Sequence, residues 1–361
     1  MEKNIKESLF ALVRLGIGKD GTISSDIDWQ SMISLANQQG ISAIVVDGID
    51  RLPCELRPPK PMMLQLIGVV LHNYESRFNK YLKTIAELSH FYNSHGLKMM
   101  VLKGYACSLN WPKPEHRHLG DIDIWQFGEY KKADALLASE KGINLDNSHH
   151  HHTVFYWHDF MVENHYDFIN VHHHKSNVEL ERVFKKLAED DSYFVDVDGE
   201  RIYLPSPNLH ALFLLKHSMS DFTSCSVSIR QILDWAFHVQ KYGNEIDWKW
   251  LFDVLENFHM KDFFNIINSI CVEDLGFDFA GLNIYGFQIV SVDHDIKARV
   301  LDDIFYPKFS IVEPSKLFFR LVYKYRRWKA NGWKHRLCYN ESMWSAFLSG
   351  VWNHLLKPSS I

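Results

Sequence analysis

The segment Gly120-Asp121-Ile122-Asp123-Ile124-Trp125 leaves the chain little choice of local structure. Its alternation of acid and isoleucine has the two-residue period of a β-strand and gives no helical face. On such a strand Ile122 and Ile124 point into a core. Asp121 and Asp123 then stand together on the opposite face, roughly 6.5–7 Å apart along the chain. Two carboxylates on one face repel each other and call for a cation. Such a pair can hold one or two Mg²⁺ ions, which take oxygen ligands and keep waters and substrate phosphates around them. Two ions about 3.5–4 Å apart can serve the attacking and leaving oxygens of a displacement. Taken alone, Asp-x-Asp is also the sequence of a solvated strand edge or a turn, so the surroundings decide.

Upstream, LKMMVL at 97–102 is a short apolar run that reads as a buried strand, followed by Lys103, Gly104 and a helix-like stretch. Gly104 lets a backbone approach a phosphate, the helix N-terminus favours an anion, and Lys103 adds positive charge. An ordinary strand-to-helix turn with an exposed lysine would carry the same residues. Downstream, FMVENHYDF at 160–168 alternates: Phe160, Val162, Tyr166 and Phe168 share one face, and Asp159, Glu163, His165 and Asp167 the other. Parity cannot choose a third carboxylate among those acids. Glu163 lies mid-strand, where a neighbour bearing Asp121 and Asp123 would run about 4.8 Å away. FVDVDGERIYL at 194–204 reads as a hairpin turning at Asp198-Gly199.

Around this α+β stretch, taken as residues 96–205, the chain reads as helical. Residues 1–95 carry apolar residues at helical spacing in 8–15 and 29–36, then a loop at PCELRPPKP (53–61). One long helix is expected over 62–95, closed by Gly96. Residues 206–361 return to steps of three and four. No internal repeat and no low-complexity region is visible.

The order strand, Leu102-Lys103-Gly104, helix, Arg117 and then Asp121-Ile122-Asp123 resembles the nucleotidyltransferase superfamily, which shares its fold with DNA polymerase beta. More closely, it is similar to the bacterial group of uncharacterised nucleotidyltransferases, with its Leu-Lys-Gly, its Arg…Asp-x-Asp and its acid-x-His-aromatic strand. Here that strand is Glu163-Asn164-His165-Tyr166. Leu215-Lys216-His217 and Asp234-Trp235-Ala236 add to the likeness, which covers roughly residues 95–260.

The resemblance implies an α+β core with a mixed sheet and helical flanks, moving a nucleoside monophosphate from an NTP to an acceptor hydroxyl. The acceptor could be a small molecule, a protein side chain or an RNA end. Asp121, Asp123 and Glu163 would be the catalytic, Mg²⁺- or Mn²⁺-binding carboxylates, and His165 would touch substrate or orient Glu163. The superfamily's Gly-Gly or Gly-Ser is Gly104-Tyr105 here, and the loop to Asp121 is long. Lys103, Gly104, Arg117 and Ser108 are then the groups available to bind the triphosphate. The departure also motivates a rival, a non-catalytic nucleotide sensor or partner-binding protein on the same fold.

A second rival, a histidine-rich metallohydrolase, comes from His149 to His152, with His172 to His174 as a further run. Adjacent histidines on a strand face opposite ways, so four in a row cannot all bind one ion without a special loop; a solvated loop or substrate rim is expected. A net charge of -5 gives no whole-chain reason to bind nucleic acid. Between Lys316 and Arg336, however, there are many Lys and Arg, no acid, and several aromatics. That stretch suits an anionic partner or a terminal helix pair with a solvated basic face. The five scattered cysteines form no Cys-x-x-Cys pair and argue against a disulfide framework. No signal peptide is visible, and the longest apolar stretch, near residues 62–71, is too short to span a bilayer. A cytoplasmic location is the expectation.

Overall fold

The protein is represented by a computed structural model, which describes residues 2–172, 174–279, 292–309 and 314–356. Side chains are described throughout these except at 2–4, 317 and 350–356, so His173 and the Trp352 side chain lie outside the described residues. The chain forms two compact units, each assembled from separated stretches. One comprises Met1–Glu75, Asn110–His118 and Leu214–Asn340; the other comprises Ser76–Leu109, Leu119–Phe213 and Glu341–Ile361.

The first unit is helical. It opens with α1 (Glu2–Gly16), α2 (Trp29–Gln38), α3 (Ser42–Asp50) and α4 (Lys60–Val70). Asp28 caps α2, its carboxylate accepting from the Ser31 amide. Helices α1 and α3 pack so closely that a Cβ on Gly48 would lie 2.0 Å from the Leu12 carbonyl oxygen, so only glycine fits there. The long helix expected over 62–95 is interrupted. A π-turn at Leu71–Glu75 separates α4 from α5 (Ser76–Ser94) and shifts the apolar register between them. Gly96 ends α5 as expected. It has φ +69°, and the Leu97 amide donates 3.0 Å to the Tyr92 carbonyl, a Schellman closure.

The second unit holds α5 and the sheet. In chain order come β1 (Met100–Val101), α6 (Tyr105–Ser108), β2 (Ile122–Trp125), α7 (Tyr130–Lys141) and β3 (His152–Trp157). Then follow β4 (Phe160–His165), α8 (Lys175–Leu187), β5 (Phe194–Val197) and β6 (Glu200–Tyr203). The six strands lie in the order β3-β4-β2-β1-β6-β5. Pairs β2–β4 and β1–β6 are parallel, while β1–β2, β3–β4 and β5–β6 are antiparallel. The α+β class with a mixed sheet therefore stands. The hairpin turns at Asp198-Gly199, both with positive φ, as that dipeptide favours. One sheet face, with Val101, Ile122, Ile124, Phe155, Val162 and Ile202, packs on Ile85, Leu88 and Tyr92 of α5 and Leu137 of α7.

Two strands are shorter than their sequences suggest. Only Met100 and Val101 of the 97–102 run pair as a strand, because Leu97 is taken up by the end of α5. Strand β4 stops at His165 instead of Phe168. The amides of Tyr166 and Asp167 both turn to the His151 carbonyl, and those of Phe168 and Ile169 to the Glu181 carboxylate. Beyond His165 the alternation therefore no longer assigns faces.

Helix α9 (Pro207–Ser224) leads into α10 (Ile229–Tyr242), α11 (Trp248–Asn257), α12 (Lys261–Ser269) and α13 (His294–Phe305). The basic aromatic stretch folds as α14 (Leu317–Ala330) and α15 (Gly332–Cys338), followed by α16 (Met343–Leu356); Phe318 and Phe319 are exposed. Among the described residues, no helix is long and apolar enough to cross a membrane.

Candidate active site

The parallel pairing of β2 and β4 sets the site. Its register puts Asp123 beside Glu163 and Trp125 beside His165. Since Ile122, Ile124 and Val162 fill the core, Asp123, Glu163 and His165 share the opposite face. On the other side of β2, the Leu102 amide donates 2.9 Å to the Asp123 carbonyl, which brings the next residue to the same place. Lys103 Nζ lies 2.7 Å from Asp123 Oδ1. His165 Nε2 lies 3.2 Å from that oxygen and 3.5 Å from Glu163 Oε2. Donor atoms of Asp123, Glu163 and His165 all fall within 4.8 Å of one another. Asp121 sits one residue before β2, outside that set but within electrostatic reach of Asp123, Glu163 and Lys103.

Helix α5 fixes the entry to β2 with two residues one turn apart. Arg77 Nε donates 2.5 Å to the Leu119 carbonyl and Nη2 donates 3.1 Å to that of Gly120. The Tyr81 hydroxyl donates 3.2 Å to the Asp121 carbonyl. The same hydroxyl explains Gly104, whose φ is +56° and where a Cβ would sit 2.5 Å from it. Glycine is thus required by Tyr81, without recourse to a phosphate. Helix α6 has only four residues, too few to develop the dipole on which the expected anion site at its start relied.

Burial and charge set the protonation states. Burial alone would raise the Asp123 carboxyl, but Lys103 and His165 overcome it and hold the group well below the usual carboxylate range. Burial works against the His165 imidazolium, yet bonds to Asp123 and Glu163 push it up to about 9. Glu163 follows the same logic: burial would raise it, and the His165 bond lowers it. Asp121 goes the other way, raised by burial and then by the Asp123 charge. Lys103 is also buried, but the three carboxylates keep its ammonium charged. Three acids thus face two cations in a nearly dry setting.

The structure brings together Lys103, Asp121, Asp123, Glu163 and His165, with Gly104 beside them. Two other expected residues have partners of their own. Arg117 belongs to the first unit, where Nε and Nη2 donate 3.0 and 2.7 Å to the two carboxylate oxygens of Asp234. Ser108 is buried and donates 2.7 Å to the Tyr105 carbonyl in its own turn. Asp167, beyond the strand end, pairs with Lys185. The histidine run, expected as a solvated loop or substrate rim, is a loop at 149–151 with His149 exposed, and only its last member is in a strand. His152 opens β3 and is 5% exposed; it stacks at 4.6 Å on half-exposed His149 and lies 3.6 Å from Glu163.

Sequence reading missed Arg77 and Tyr81, which lie 40 to 43 positions before the residues they hold. Their one signal is a cation and an aromatic at i and i+4 on one helix face. It also missed Asn164, fully buried on the core side of β4, where its amide donates 2.9 Å to Asp134 of α7.

A crystal structure of an antigenic nucleotidyltransferase-like protein from Paracoccidioides brasiliensis is 16% identical and aligns over 44% of this chain and 76% of its own, at a TM-score of 0.32. That likeness is too slight to carry an argument. No curated protein matches the chain significantly. The match that does decide spans residues 25–276, well over half of the sequence, and with it the chain belongs to the family described as uncharacterised nucleotidyltransferase.

Proposed function

We propose that this member of the family is a metal-dependent enzyme that transfers a nucleoside monophosphate from an NTP to an acceptor hydroxyl. The observation that carries the reading is the β2–β4 register, which sets Glu163 against Asp123 with Asp121 just before the strand. Three carboxylates offer the oxygen donors that Mg²⁺ takes, and the adjoining imidazole of His165 suits Mn²⁺ as well. Asp121, Asp123 and Glu163 would hold the metal, which when bound would draw charge from the phosphates and acidify the acceptor hydroxyl.

The chain's own groups supply the rest. The acceptor oxygen forms a bond to the α-phosphorus as the bond to pyrophosphate breaks, and Glu163, kept ionised by His165, takes the hydroxyl proton. Lys103 places a fixed positive charge beside the carboxylates, where low dielectric strengthens its hold on a triphosphate. Arg117 and Ser108 do not enter the proposal, because their donors serve Asp234 and Tyr105.

One observation favours the second reading, a nucleotide sensor without turnover. Asp123 already accepts from both Lys103 and His165, so a metal must displace a resident cation. Incubation with each labelled NTP and Mg²⁺ or Mn²⁺ separates the two readings. Release of pyrophosphate or labelling of an acceptor supports the enzyme; binding without either supports the sensor. In both cases free ligand at about 100 times its dissociation constant should stabilise the fold by roughly 2.7 kcal/mol. Asp121→Asn with Asp123→Asn should abolish that gain, and an undiminished thermal shift would remove both readings.

A further inference from the structure

The acidic site absorbs His165 but leaves its histidine neighbours unexplained. His151, just before β3, and His152, its first residue, meet His165 of β4 across the β3–β4 pairing, which sets His152 opposite His165. Ring centroids lie 4.3 Å apart for His151 and His152, 5.5 Å for His151 and His165, and 5.2 Å for His152 and His165. One nitrogen from each of the three lies within 4.8 Å of the others. Among the described residues, neither ring nitrogen of His152 has a hydrogen-bond partner, and nor does Nδ1 of His151. A buried polar atom left in that state is costly and rare. His165 is bonded through Nε2 to Asp123 and through Nδ1 to the Asp167 carbonyl, so the orphaned nitrogens are those of His151 and His152.

We propose that His151, His152 and His165 form a second metal site, specific for a borderline transition ion such as Zn²⁺ or Co²⁺, which adjoins the carboxylate site and shares His165 with it. Nitrogen donors select such ions over Mg²⁺, which demands oxygen. Three imidazoles with one open position are an established donor set for Zn²⁺. At metal–nitrogen distances of about 2.0–2.1 Å, tetrahedral donors stand roughly 3.3 Å apart, so the rings need only draw together by side-chain rotation. His151 is only partly buried and provides the route from solvent.

Co²⁺ is the probe, because nitrogen-bound tetrahedral Co²⁺ absorbs in the visible and carboxylate-bound octahedral Co²⁺ does so only weakly. The full chain, stripped with EDTA, is titrated with Co²⁺ while absorbance is followed. One tightly bound ion with an intense visible band is expected. His152→Ala and His151→Gln should each weaken it about 100-fold, at least the scale set by losing an outer-shell partner. Metal-free thermal melts of both variants establish that they fold, and His151→Gln, at the more exposed position, guards against collapse of His152→Ala. Asp121→Asn with Asp123→Asn should keep the band within a few-fold. The proposal is overturned if no intense band forms, or if the band survives both histidine changes. It also fails if the band vanishes with the aspartates, which would assign the ion to the carboxylates. None of these outcomes depends on turnover, so they leave the nucleotidyl-transfer reading to its own test.

Discussion

Asp234 in the helical unit and Asp123 in the sheet unit are both almost wholly buried aspartates, at 2% and 1% exposure, and both meet cations. Their surroundings differ in a way that separates structure from function. Asp234 accepts from both nitrogens of one guanidinium, one on each oxygen, and from the Trp111 indole at 2.9 Å. One negative charge meets one positive charge, in the fork geometry that suits them best. At Asp123 two cations crowd a single oxygen, and two further carboxylates stand by. A matched buried pair is a finished object; a mismatched one, held in a dry site with spare acids, is prepared for a ligand.

The sharpest test of that contrast is to break the matched pair. Arg117→Ala leaves the Asp234 carboxylate buried with, among the described residues, only the Trp111 indole to meet it, and should cost about 3–5 kcal/mol in urea unfolding. A loss below about 1 kcal/mol would mean that the pair is solvated after all, and the contrast would lapse. Metal and NTP binding should survive wherever the variant stays folded.

Next in size is a pH effect confined to the mismatched site. The fold raises His165 from an ordinary value near 6.5 to about 9, so it favours the imidazolium. The stability this contributes is fully present below about pH 6.5 and is lost as pH rises through 9. A shift of that size corresponds to about 3 kcal/mol. Unfolding in EDTA across pH 6–10 should show the decline, and His165→Gln should flatten it by that amount. An unchanged profile in the variant would place the proton elsewhere.

The same contrast shows what could be read from the sequence. The alternation in 120–125 was enough to give a strand with Ile122 and Ile124 inward, because a two-residue period has one structural meaning. Glu163 followed from the family likeness joined to strand geometry, and the register now sets it beside Asp123. Arg117 enters the expected triphosphate set through the Arg…Asp-x-Asp order of the family likeness. Nothing in the sequence signals that it pairs with Asp234, 117 residues away. Gly104 was read as a phosphate cradle because glycine marks close approach without saying to what; here the approach is Tyr81. The π-turn at Leu71–Glu75 was invisible because a single inserted residue barely disturbs apolar periodicity over a short window.

The smallest expected effect is the one whose sign matters most. Alternation alone suggests that neutralising either aspartate relieves a like-charge pair and stabilises the metal-free chain. The geometry splits them. Asp123 is the counter-ion of Lys103 and His165, so Asp123→Asn strands two buried cations and should cost about 2 kcal/mol, less than full truncation because the amide oxygen still accepts. Asp121 is raised by burial and by the Asp123 charge, so at neutral pH the fold carries its ionised form at a loss. Asp121→Asn should therefore stabilise the metal-free protein, by about 0.5–1 kcal/mol once partial solvent exposure is allowed for. With saturating Mg²⁺ and NTP wild type should overtake Asp121→Asn, because both variants forfeit a ligand and neither gains the stabilisation that wild type does. Four unfolding curves in EDTA and four with ligand suffice: wild type, each single variant and the double. If Asp121→Asn destabilises the metal-free chain as Asp123→Asn does, the two acids are equally paired, and the excess charge that distinguishes this site from Asp234 is not there.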